Sequence, residues 1–173
     1  MSAAYRVEQF IRAVAAWVRS TPVDEGMIGR YLPGAAVSLF QTMPRYDQQH
    51  ALNVLGTLQE MGHEDRDLLA AALLHDVGKT AGQRGALRLW HRPAVVLMRA
   101  FWPGLLDHLG QDRQGSWRRP FFVQSHHAEI GAELARRAGC SPRTAELIRL
   151  HEDPLQVTDD PLRTALRLAD SVN

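Results

Sequence analysis

His75 and Asp76 stand side by side at the end of an apolar run, Leu68 to Leu74, and Val77-Gly78-Lys79 follow. A carboxylate in such surroundings carries a large desolvation cost unless a cation, a donor network or solvent meets it. Neighbouring residues on a helix point about 100° apart, so this pair can reach two sides of one ion or bridge two, but it cannot chelate face-on. The remaining donors have to come from other helices. The chain offers His50, the pair His127 and His151, and Asp170. Imidazole and carboxylate donors without a thiolate suit Mn²⁺, Fe²⁺, Ni²⁺, Co²⁺ or Zn²⁺ better than Mg²⁺. Each residue also has a plainer reading: a helix-end ion pair for His75 and Asp76, a solvated ring at a helix start for His127, and a cation favoured by a helix C-terminus for His151 and Lys79.

The elements that must position these groups are helical. Residues 45–61 carry His50, Val54, Leu55, Leu58 and Met61 on one stripe, with Gly62 as the stop. Glu64-Asp65 opens the next helix with negative charge at its positive end. That helix is apolar nearly all round, which predicts a central, buried element ending in His75-Asp76, with Gly78 as its stop. From Gln124, a stripe of Ile130, Leu134, Ala135 and Ala138 leads to Gly139. Ser141-Pro142 is a helix start, and that helix ends at His151. Thr158 or Asp159, with Pro161, starts a last helix whose stripe of Leu162, Ala165, Leu166 and Ala169 reaches Asp170. Upstream, helices are predicted over 5–19, Asp24 to Leu32 and Ala35 to Thr42. No strand pattern occurs, so the fold class is all-α. Residues 1–43 read as an N-terminal helical extension packed on a domain of residues 44–173. An insertion rich in arginine, tryptophan and phenylalanine occupies about 80–119. It has three readings: ordinary packing, contact with a phosphorylated substrate, or association as a homodimer or at a membrane surface.

In this order the residues carry a resemblance. His50, His75-Asp76 and Asp170 match the H…HD…D signature of the HD superfamily of metal-dependent phosphohydrolases. Leu74-His75-Asp76-Val77-Gly78-Lys79 resembles its HD-Ile-Gly-Lys form. His127-Ala-Glu-Ile-Gly131-Ala and Leu150-His151-Glu152 resemble motifs of the subgroup that includes the HD-GYP cyclic-dinucleotide phosphodiesterases. The likeness covers about residues 45–173. It implies an HD-domain helical bundle in which His50, His75, Asp76 and Asp170 hold one metal. Asp76 would bridge to a second metal held by His127 and His151. Two metals would polarise the phosphoryl oxygens and turn a shared water into hydroxide. Lys79 would neutralise a phosphate oxygen or assist the leaving group, which makes Asp76 and Lys79 the catalytic candidates. The chain departs from the subgroup in three places. The Gly-Tyr-Pro segment is absent, Leu150 replaces the first histidine of the His-His-Glu motif, and Tyr46 stands where members with three metals place a glutamate. A third metal and c-di-GMP hydrolysis are therefore not expected.

Composition narrows the alternatives. The chain has 173 residues, 45% of them apolar, enough for a core without disulfides. Its single cysteine, Cys140, excludes an internal disulfide and a cysteine-based zinc site. A formal net charge of +1 predicts no binding to double-stranded nucleic acid or to a membrane through bulk charge. No apolar run reaches the roughly 18 residues of a spanning helix, and the N-terminus lacks a signal-peptide pattern. A soluble, cytoplasmic protein is the expectation. The functional expectation is hydrolysis of a nucleotide or related small phosphoester at a binuclear site. A single-metal nucleotidase and a non-catalytic HD-type binding module stand as the alternatives.

Overall fold

In a computed structural model of the chain, the described residues are 25–82, 119–154 and 160–173. The predicted helix over 5–19 and most of the arginine-aromatic insertion lie outside them. The described residues form seven α-helices, one 3-10 turn and no strand, an all-α fold as the sequence predicts. The helices are α1 (Glu25–Ile28), α2 (Gly34–Gln41), α3 (Arg45–Glu60), α4 (Arg66–Leu74), α5 (Arg119–Arg137), α6 (Pro142–Leu150) and α7 (Pro161–Val172). The 3-10 turn, Val77–Gly82, follows α4. No helix among the described residues is long and apolar enough to cross a membrane.

Local signals fix most boundaries. Gly62 and Gly139 adopt φ of 83° and 86°, and the amides after them reach back five residues, His63 to Leu58 and Cys140 to Ala135, at 3.0 Å each. These are Schellman ends, which only glycine enters without strain. Asp65 caps α4 through Leu68 N, and Ser141 caps α6 through Thr144 N, both at 2.9 Å. Three boundaries differ from expectation. Asp160 caps α7 through Leu162 N, in place of Thr158 or Asp159, because its carboxylate sits one residue before Pro161 at the first helical position. Helix α5 begins at Arg119 rather than near Gln124, and α1 is a single turn.

A fourth correction concerns Gly78. It is not a left-handed stop: it lies inside the 3-10 turn, and its φ is not positive. What it supplies is close approach. A Cβ on Gly78 would lie 1.9 Å from the His127 carbonyl oxygen and 2.7 Å from Gly131 N. Gly131 answers from the other side, where a Cβ would meet Gly78 N at 3.2 Å and Ile148 Cγ2 at 3.4 Å. Two glycines thus let the turn after His75-Asp76 rest directly on the backbone of α5, with His127 at the contact.

Helix α4 is buried over Leu68–Leu74 and packs against α3, α6 and α7. Ile28, Leu32, Ala36, Phe40 and Met43 join the same core from upstream. Helices α4 and α6 are matched in length, nine residues each, and run side by side in the same direction. At their starts, Asp67 Oδ1 accepts from Ser141 Oγ at 2.5 Å and from Thr144 Oγ1 at 2.9 Å. At their ends, the rings of His75 and His151 lie 5.2 Å apart.

The Gly78 contact generates a stability prediction. Gly78→Ala forces backbone apart and costs about 3 kcal/mol or more. Gly131→Ala meets contacts that a few tenths of an ångström relieve, and alanine regains helix propensity, so it costs about 1 kcal/mol or less. Urea denaturation of the two variants measures both, and equal losses would contradict the close-approach account.

Candidate metal centre

All six predicted ligands converge at one end of the bundle. His50 comes from α3, His75 and Asp76 from the end of α4, His127 from α5, His151 from the end of α6 and Asp170 from α7. His75, Asp76, His127 and His151 are buried, whereas His50 and Asp170 are partly open. His50 Nε2 lies 3.3 Å from His75 Nε2 and 2.9 Å from Asp170 Oδ1. Asp170 Oδ1 is also 3.5 Å from His75 Nε2.

Asp76 is the centre. Its Oδ1 lies 3.8 Å from His75 Nε2, 3.7 Å from His127 Nε2 and 4.0 Å from His151 Nε2. Two triplets that could hold a metal ion therefore share it: His50, His75 and Asp76, and Asp76, His127 and His151, each with donor atoms within 4.8 Å of one another. Oδ2 faces the other way and accepts from Lys79 Nζ at 2.6 Å.

Ring orientation follows from the helix ends. His75 Nδ1 is 2.9 Å from Ala72 O, and His151 Nδ1 is 2.7 Å from Ile148 O. A backbone carbonyl only accepts, so Nδ1 carries the proton and Nε2 turns its lone pair inward. Two donors on one first-row ion sit about 3.0–3.5 Å apart, given bonds of about 2.0–2.2 Å. The observed separations are close to this, and the donor set of neutral imidazoles and ionised carboxylates fits such an ion.

The electrostatics agree. Burial pushes the Asp76 carboxyl up, but His75 and Lys79 outweigh it and hold the group well below the usual carboxylate range. Burial opposes ionisation of Asp170 as well, and the hydrogen bond with His50, with His75 close by, again wins. Burial opposes charging of His75, but Asp76 and Asp170 together raise its pKa. His151 goes the other way: burial, then the neighbouring His75, lower its pKa to about 4. A site that draws a proton onto His75 is one with negative charge in excess, where a cation can replace the proton.

Three residues near the site were not among the predicted ligands. Glu152 Oε1 lies 3.6 Å from His127 Nε2, and its sequence signal was its place as the glutamate of the segment that resembles the His-His-Glu motif. Arg163 is buried, and its guanidinium donates to the carbonyls of Leu150 at 3.0 Å, Asp153 at 2.8 Å and Pro154 at 3.1 Å. Arg167 donates to the carbonyls of Glu152 and Asp153. Together they hold the turn at the negative end of α6, which carries His151 and Glu152. Nothing in the spacing of α7 separates these arginines from solvated ones.

Two predictions come from this geometry. Arg163→Met strips charged donors from three part-buried carbonyls and should cost about 1.5–3 kcal/mol in chemical denaturation. A loss under about 1 kcal/mol would show the turn to be held otherwise. For His151, the unfolded ring has the higher pKa, so falling pH between 6.5 and about 4 protonates the unfolded chain first and lowers stability through this group. In metal-free protein its ring should keep the neutral Nδ1–H form down to about pH 5.5, read by ¹⁵N-edited NMR. An ordinary titration near pH 6.5 would contradict that burial.

The comparisons with known proteins bear on the same helices. No curated protein and no solved structure matches the chain. The HD domain family model matches residues 48–173, well over half of the chain, from just before His50 to the end of α7. Members of that family are in general metal-dependent phosphohydrolases, and their defining histidine and aspartate pair falls at the centre described above; the chain belongs to the HD domain family.

Proposed function

We propose that this protein is a metal-dependent phosphohydrolase that cleaves a nucleotide or a related small phosphoester at a binuclear site. The observation that carries the reading is the single carboxylate shared by two triplets of donors, with Asp76 common to both. His50, His75, Asp76 and Asp170 would hold one ion, and Asp76, His127 and His151 the other. The absence of a thiolate favours Mn, Fe, Ni, Co or Zn. A pair of divalent ions held there would supply positive charge to phosphoryl oxygens and acidity to water.

The chain's own contribution is orientation. Lys79 engages Asp76 Oδ2 and so keeps Oδ1 turned toward the three imidazoles. Backbone carbonyls fix the tautomers of His75 and His151. Ionised Asp76 and Asp170 supply the negative charge that a pair of cations needs.

A second reading, a nucleotidase with one ion at His50, His75, Asp76 and Asp170, draws on the closeness of Asp170 to both rings of that half. Elemental analysis of protein purified without a histidine tag or chelator separates the two. About two transition-metal ions per chain, falling to about one in the His127→Ala/His151→Ala double variant, supports the binuclear enzyme. About one ion, unchanged in the double variant, supports the nucleotidase. Asp76→Ala should lower hydrolysis of the best substrate from a nucleotide panel by about a hundredfold or more. No uptake of Mn²⁺ or Ni²⁺ overturns the catalytic reading and leaves a binding module.

A further inference from the structure

We infer that Glu152 is a protein ligand of the second ion, the counterpart of Asp170 on the first. The inference rests on the binuclear reading and extends it. Each half of the centre contains two imidazoles and Asp76, and each has one further carboxylate at its open edge. Asp170 and Glu152 are alike in exposure, at 34% and 33% of the side chain. They are also alike in reach. Glu152 Oε1 stands 3.6 Å from His127 Nε2, and Asp170 Oδ1 stands 3.5 Å from His75 Nε2. The same His127 nitrogen is 3.7 Å from Asp76 Oδ1. His127 Nε2 thus stands at nearly the same distance from two carboxylate oxygens.

Charge points the same way. Without Glu152, the second half has two neutral imidazoles and a share of Asp76, whose Oδ2 is already paired with Lys79. His127 is fully buried and His151 is 3% exposed, so a divalent ion beside them sits in poorly solvated surroundings. Such an ion needs a nearby anion, and Glu152 brings one. Its backbone is already fixed: Arg167 Nη1 donates to the Glu152 carbonyl at 3.2 Å, and Arg163 holds the residues on either side. The carboxylate therefore approaches from an anchored turn, which limits the ordering cost of ligation.

The test is calorimetric titration of metal-free protein with Mn²⁺, for wild type, Glu152→Gln and Glu152→Asp. Glutamine keeps the size and loses the charge. The expected result is two ions for wild type, with the second bound at least about tenfold more weakly by Glu152→Gln and the first unchanged. The exchange-coupled Mn²⁺ pair signal in electron paramagnetic resonance should fade at matched loading, and Glu152→Asp should restore part of the affinity. Thermal denaturation of the apo variants checks that they fold; the residue is partly exposed and the change is conservative. Two ions bound by Glu152→Gln as tightly as by wild type overturns the inference and leaves the binuclear reading intact. Equal weakening of both ions also overturns it. A wild-type protein that takes one ion overturns both readings.

Discussion

The Asp76 carboxylate is the constraint around which the fold is arranged. It is buried and ionised, and it follows seven consecutive buried apolar residues. A charge there is tolerable only where cationic or donor groups surround it. The bundle supplies them from each side: Lys79 on Oδ2, and the rings of His75, His127 and His151 around Oδ1. Those rings arrive on separate elements, so the carboxylate also dictates which helices must meet.

Two devices bring them together. One is the glycine contact, where the absence of a side chain on Gly78 and Gly131 lets the turn after Asp76 settle against α5. The other is the pairing of α4 with α6. Both helices are capped by an oxygen side chain, tied through Asp67 at their starts, and ended by a histidine whose Nδ1 is bound to the carbonyl three residues back. Equal length then places two imidazoles at one level, 5.2 Å apart and edge to face. The arginines of α7 secure the last turn of this arrangement.

Much of this was legible in the sequence. Helix type followed from the apolar stripes, and the stops at Gly62 and Gly139 and the start at Ser141-Pro142 followed from backbone preferences that act within a few residues. His75, Asp76 and Asp170 stood out because each ends an apolar run, and His50 because it falls on the apolar stripe of its helix; His127 and His151 entered as ligands through the resemblance to the HD superfamily. What was not legible depends on neighbours distant in the chain. Gly78 reads as a helix stop, since nothing local reveals that α5 lies against it. Arg163 looks like an ordinary surface residue, because its partners are the carbonyls of Leu150, Asp153 and Pro154, nine or more residues away in the chain. Asp160, rather than an earlier residue, caps α7 for a local reason that the run of candidate caps before Pro161 obscured.

The matched pair α4 and α6 also limits how this chain can change in evolution. One inserted residue would advance a terminal histidine by about 1.5 Å and swing it by about 100° around the helix axis. The tie through Asp67 prevents the helix from sliding back to absorb that change. Gains and losses of residues should therefore be excluded between Asp65 and His75 and between Ser141 and His151. Length variation among descendants of this sequence would then collect outside these two segments, which would stay the same size as each other.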